Sequence, residues 1–304
     1  MTKHVFKLLR PEQWVKNVFI FLPAFFHGQL FHISVLLPCI IAFIAFSFAA
    51  SSIYCFNDIY DVEADKLHPE KNKRPVASGN ISKKTAYFIM AVCFLFSLLT
   101  FFFLGGSAKN VLIVLVIFYF GMNLAYTVRL KQYVIIDAVI ISMGFVLRVF
   151  VGGTATNIWI SEWIILMTFL LALFLAFAKR RDDVVLYKNT GVFARKNTNR
   201  YNLEFMNQTI TVIATITIVA YIMFTLSPDV IERFHSRYLY LTSIFVLMGI
   251  IRYLQVTIVD LKSSNPTKIL LRDRFIQCCI AGWIGLFIII IYWSNFTDWY
   301  DSLF

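Results

Sequence analysis

Charge is what this sequence has least of. Only 15% of its 304 residues are Asp, Glu, Lys or Arg, against roughly 25% in an ordinary soluble domain. No charged surface is available to cover a soluble core of this length, so soluble and disordered classes are excluded. Cysteine and histidine are scarce, five of each. Cys39, Cys55, Cys93, Cys278 and Cys279 form no CxxC pair and keep no zinc-type spacing with histidine, and they read as small apolar residues. The opening MTKHVFKLLRPEQW breaks its first apolar residues with charges and a proline, which is unlike a signal peptide.

What the chain has instead is apolar length: 59% of residues are hydrophobic, 32 of them Phe. A membrane helix needs about 20 apolar residues. Runs near that size fall at 15–31, 35–56, 84–104, 110–128, 133–153, 162–179, 208–227, 237–256 and 275–294. They predict an all-α polytopic membrane bundle of about nine transmembrane helices, a single domain over 1–304. The first run is broken by Pro23, His27 and Gly28.

The net charge of +11 reads as topology rather than nucleic-acid binding, because the cations sit in loops between the apolar runs. With the N-terminus and every second loop in the cytoplasm, 24 of the 28 lysines and arginines fall on that side. Lys109, Arg233 and Arg237 fall opposite, and Arg148 lies inside a span. That split follows the positive-inside rule, with N-terminus in and C-terminus out. The two longest connections, about 57–83 and 180–207, both lie on the cytoplasmic side, and long loops in a compact bundle are usually functional.

The first of these opens with Asn57-Asp58-Ile59-Tyr60-Asp61-Val62-Glu63-Ala64-Asp65. If the second helix continues through it at about 100° per residue, Asn57, Asp61, Asp65 and Asp58 project at about 0°, 40°, 80° and 100°, with Glu63 at about 240°. Three carboxylates and an amide then share one face at the mouth of the bundle, and like charges so placed call for something positive among them. Oxygen ligands without Cys or His suit a hard cation such as Mg²⁺, which takes one or two carboxylates and completes its shell with water and phosphate oxygens. The alternative is a solvated helix end whose acids pair with nearby lysines. The loop continues Lys66-Leu67-His68-Pro69-Glu70-Lys71-Asn72-Lys73-Arg74-Pro75. Carboxylates for metal beside cations for phosphate describe a phosphorylated, metal-chelating ligand, although cytoplasmic loops are lysine-rich for topological reasons too. Pro69 and Pro75 fix the local backbone.

NDIYDVEAD resembles the NDxxDxxxD motif of the UbiA superfamily of intramembrane prenyltransferases, and NDIYDVEADKLHPEKNKRPVASG is similar to its polyprenyl-phosphate phosphoribosyltransferase branch. Arg10-Pro11-Glu12-Gln13-Trp14-Val15-Lys16-Asn17, Tyr126-Thr127-Val128-Arg129-Leu130-Lys131 with Asp137, Phe145-Val146-Leu147-Arg148, and Lys179-Arg180-Arg181 before Thr190-Gly191 extend the likeness over residues 10 to about 200. Aromatic prenyltransferases of the superfamily carry a second DxxxD motif after the sixth helix. Here the equivalent place reads Lys179-Arg180-Arg181-Asp182-Asp183, and basic residues replace acids.

The resemblance implies a glycosyltransferase in the inner (plasma) membrane with its site facing the cytoplasm. It would move 5-phosphoribosyl from phosphoribosyl diphosphate (PRPP) to a polyprenyl phosphate. Mg²⁺ would be held by Asn57, Asp58, Asp61 and Asp65, with the three acids as the catalytic set. Lys71, Arg74, Lys179 and Arg180 are then candidates for the phosphates, with Lys16, Asn17, Tyr126 and Lys131 as a next ring. The rival implied by the wider superfamily is an aromatic prenyltransferase with a prenyl diphosphate donor. A carrier for lipid phosphates would not require clustered carboxylates. Arg148 is either functional or a side chain snorkelling to the outer surface; Asp137 is a pocket residue or a partner of Lys131. The sequence leaves self-association open.

Overall fold

The computed structural model describes residues 2–67, 71–106, 108–191, 200–261 and 266–301. His68, Pro69, Arg195, Lys196 and Lys262, used above for loop shape and topology, lie outside them. The described residues are helical and contain no strand. Apolar runs of span length require this, because inside a bilayer only a helix satisfies its own backbone hydrogen bonds within one segment. The chain divides into two compact units, Met1–Ile164 and Ile165–Phe304.

In the first unit, α1 (Thr2–Leu9) leads into a 3-10 helix, Pro11–Phe21, and the short α2, Leu22–Phe26. The spans α3 (Ile33–Tyr60), α5 (Lys83–Thr100), α6 (Ala108–Val128) and α7 (Ile136–Thr156) follow, with the five-residue α4 (Val62–Lys66) between α3 and α5. Their core packs Phe46, Phe101, Leu112, Val116, Tyr119, Leu147 and Val151. The second unit holds most of α8 (Glu162–Thr190), then α9 (Leu203–Leu226), α10 (Pro228–Phe234), α11 (Ser243–Ile258), α12 (Pro266–Arg272) and α13 (Arg274–Asp301).

Eight helices among the described residues are long and apolar enough to cross a membrane. The remaining expected run, 15–31, takes a different form. It forms an 11-residue 3-10 helix followed by the five residues of α2, and is not one of the eight. Gly28, at φ 70°, turns the chain out of it.

A 3-10 helix of this length is uncommon, and its three-residue repeat explains what holds it. Trp14, Asn17 and Ile20 stack in one row. Trp14 Nε1 donates to Ser51 Oγ (3.0 Å) and Asn17 Nδ2 to Ser47 Oγ (2.8 Å), both on α3. At Ile20 the backbone itself touches α7: a Cβ on Gly152 would stand 1.9 Å from the Ile20 carbonyl oxygen. Only glycine permits that approach.

α8 also departs from expectation, since it runs to Thr190 rather than ending at 179. No Gly or Pro interrupts residues 162–190, so the helix outlasts its apolar stretch until Gly191, at φ 69°. Lys179–Asp183 therefore lie on a helix. Cys39, Cys55, Cys93 and Cys279 are buried free thiols and Cys278 is an exposed one.

Candidate functional site

α3 ends at Tyr60, but its register does not. The amide of Asp61 donates to the Asn57 carbonyl (2.9 Å) and that of Asp65 to the Asp61 carbonyl (2.8 Å), so the i to i−4 pattern crosses the break into α4. Asp58 and Asp65 are buried, Asn57 and Asp61 half-buried, and Glu63 is exposed. Glu63 faces Lys66 (3.2 Å) and Lys83 (3.7 Å). The Lys66 hydrogen bond, helped by Lys83, holds its carboxyl below the ordinary range.

Each motif acid meets a cation from a different part of the first unit. Arg10, in the left-handed conformation (φ 50°) before the 3-10 helix, donates Nη2 to Asp58 Oδ1. Arg74 donates Nη1 to Asp65 Oδ2 at 2.6 Å and stands 3.7 Å from Asp58. Lys131, in the α6–α7 connection, donates to Asp61 Oδ1 at 2.6 Å. Asn57 Oδ1 accepts from the Thr127 hydroxyl of α6 at 2.5 Å. The start of the 3-10 segment, α3, α6 and the connections that carry Arg74 and Lys131 thus converge on the nine-residue motif.

Of the candidates in the first unit, Arg74 and Lys131 meet the motif acids directly, whereas Asn17 does not, its partners being Ser47 and Arg148 about 16 Å away along α3. Lys71 lies in a short 3-10 turn leading to Arg74, and Asn17 is buried on the 3-10 helix, where it accepts from Arg148 Nε. Lys16, Lys71 and Tyr126 are half-buried. Lys179 and Arg180 belong to the second unit, where Arg180 is buried and donates Nη1 to the Ala176 carbonyl (2.7 Å). Arg181 donates to the carbonyls of Thr257 (2.7 Å) and Ile258 (3.4 Å) at the end of α11 and to Asn207 Oδ1 (2.7 Å). That is the work of a helix C-terminal clamp. Sequence reasoning did not select Arg10, Thr127 or a buried role for Arg148. Arg10 and Thr127 stood inside the matching segments, which was the available signal.

The donor set suits a hard divalent ion. Asp58 Oδ2 is buried and has no hydrogen-bond partner among the described residues, a position that calls for positive charge. No three acidic, histidine or cysteine side chains among the described residues stand close enough to share one ion. An ion here would therefore meet one or two carboxylates and draw its other ligands from water and substrate phosphate, which is how Mg²⁺ is commonly held.

Helices of span length, with an acid-and-cation cluster in the first unit, define a multi-pass membrane protein with a polar candidate site. The chain belongs to the UbiA prenyltransferase family, whose model matches residues 17–278. It is 33% identical over 298 residues to a decaprenyl-phosphate phosphoribosyltransferase of Mycolicibacterium smegmatis, covering 95% of this chain and 92% of that protein. The enzyme of the same name from Mycobacterium tuberculosis is 32% identical over 285 residues, 92% of each chain. A UbiA homologue from Archaeoglobus fulgidus, solved with GPP and Mg²⁺, has the same fold: TM-score 0.69 at 17% identity, over 95% of this chain and 99% of that one. The protein is thus a transferase with several membrane-spanning helices.

Proposed function

We propose that the protein transfers 5-phosphoribosyl from PRPP to a polyprenyl phosphate, releasing pyrophosphate, with Mg²⁺ and at the cytoplasmic face of the inner membrane. The observation that carries this reading is the pairing of Asp58, Asp61 and Asp65 with Arg10, Lys131 and Arg74. One cluster offers oxygen ligands for a metal and cations for phosphate. The names of the relatives support the donor and acceptor, and the match over 17–278, which runs through both units, supports one family domain. The lysine and arginine asymmetry supports the membrane orientation.

One or two of the carboxylates of Asp58, Asp61 and Asp65 would hold the ion, with Asn57, held by Thr127, beside them. Mg²⁺ bound there would supply Lewis-acid neutralisation of the diphosphate. Arg74, Lys71 and Lys131 bind phosphate oxygens and orient the donor; Lys16 and Tyr126 join them on the sequence resemblance alone, while Asn17, bonded to Ser47 and Arg148, supports the 3-10 helix instead. Lys179 and Arg180 are proposed as further phosphate ligands on the sequence resemblance alone. The bond from ribose C1 to the diphosphate oxygen breaks with oxocarbenium character at C1, and a phosphate oxygen of the lipid forms the new bond. That oxygen is already ionised near neutral pH, so no strong general base is required. Catalysis rests on positioning and on fixed charge.

Pyrophosphate release separates this reading from prenyl transfer. Purified protein with Mg²⁺ and polyprenyl phosphate is expected to release pyrophosphate from PRPP. Release from a prenyl diphosphate with an aromatic acceptor, and none from PRPP, would overturn it.

A further inference from the structure

Arg148 lies within the membrane span α7 and is 5% exposed. It does not snorkel. Its Nε donates to Asn17 Oδ1 (2.8 Å), Nη1 to the Gly144 carbonyl (2.7 Å) and Nη2 to the Tyr119 hydroxyl (3.1 Å). The guanidinium carbon lies 4.8 Å from the centre of the Phe46 ring and 5.2 Å from those of Tyr119 and Phe145. Among the described residues no carboxylate pairs with it. An arginine in a span is costly, and neutral acceptors with aromatic faces offset that only in part. A well-packed apolar side chain would stabilise the fold at least as well, so the guanidinium is there for geometry.

The geometry it sets is the relation of three elements that meet twice. At Arg148 the 3-10 helix (Asn17), α3 (Phe46, and Ser47 through Asn17) and α6 (Tyr119) come together. Eleven residues along α3, about 16 Å away, they meet again: Arg10 on Asp58 and Thr127 on Asn57. The 3-10 form links the two junctions. Relaxed to an α-helix, the seven residues from Arg10 to Asn17 would shorten by about 0.5 Å each, about 3.5 Å in all, and the row Trp14, Asn17, Ile20 would twist out of line. Arg10 would then leave Asp58.

We propose that Arg148 is a positioning residue for the transferase site: through Asn17 it holds the 3-10 helix at the length and rotation that bring Arg10 to Asp58. The kinetic part of this inference rests on the function proposed above; the positional part does not.

The test uses the full chain with Cys278→Ser and spin labels on cysteines replacing the exposed Glu12 and Glu63. In Arg148→Met the distance between labels is expected to shift by about 3 Å, and kcat with PRPP to fall about 100-fold with KM for the lipid phosphate nearly unchanged. Tyr119→Phe keeps the Arg148 bond to Asn17 and should leave both within twofold of the parent. An unchanged label distance in Arg148→Met overturns the proposal whatever happens to kcat. If Arg148→Met does not fold, Arg148→Lys, which keeps the charge but lacks the Nε donor, must show the same shift, and an unchanged distance again overturns it. A parent inactive with PRPP would refute the functional reading while the distance still decides this one.

Discussion

Lys131 Nζ lies 2.6 Å from Asp61 Oδ1, joining the α6–α7 connection to the acidic motif 70 residues earlier. Both side chains are 29% exposed, and a pair so open to solvent contributes only about 0–1 kcal/mol. Its value to the fold is therefore small, and its place beside the motif points to ligand handling.

That magnitude makes Asp61→Asn informative. Thermal unfolding in detergent should be nearly unchanged, while Mg²⁺-dependent transfer of labelled phosphoribose to lipid should be abolished. Asp65→Asn should abolish it as well. Full activity in both variants would remove the assigned metal site.

Arg10 and Asp58 behave differently because Asp58 is fully buried. Arg10→Met leaves that carboxylate with Arg74 at 3.7 Å, and removing one partner of a buried pair costs about 3 kcal/mol. The double variant Arg10→Met/Asp58→Asn should regain most of the stability and none of the activity. Equal losses in the single and double variants, read by thermal unfolding, would contradict the buried pairing.

Gly152→Ala forces a Cβ to 1.9 Å from the Ile20 carbonyl oxygen, and the backbone contact between the 3-10 helix and α7 must open. A loss of about 2 kcal/mol or more is expected. Gly144→Ala is the comparison, since its Cβ meets nothing nearer than 3.6 Å and should be nearly neutral. Similar melting temperatures for the two variants would contradict the close approach.

The sequence made the apolar spans legible because burial in lipid demands long uninterrupted runs, and the inward face of Asn57, Asp58, Asp61 and Asp65 follows from helical spacing. The 3-10 form of Pro11–Phe21 was not legible: side-chain hydrogen bonds to Ser47 and Ser51 on another helix select it, not local propensity. The extension of α8 was missed because a span ends where apolarity ends, whereas a helix ends at its next breaker, Gly191. The partners of Arg10, Asn57 and Arg148 lie 48, 70 and 131 residues away, distances over which spacing carries no information.

The most direct measurement of the central claim is the mass of the lipid product. Purified protein, PRPP, polyprenyl phosphate and Mg²⁺ should yield a lipid heavier by one phosphoribosyl group, with chelation of the metal suppressing its formation. A lipid of unchanged mass, or the same product formed in Asp65→Asn or without divalent metal, would contradict the account.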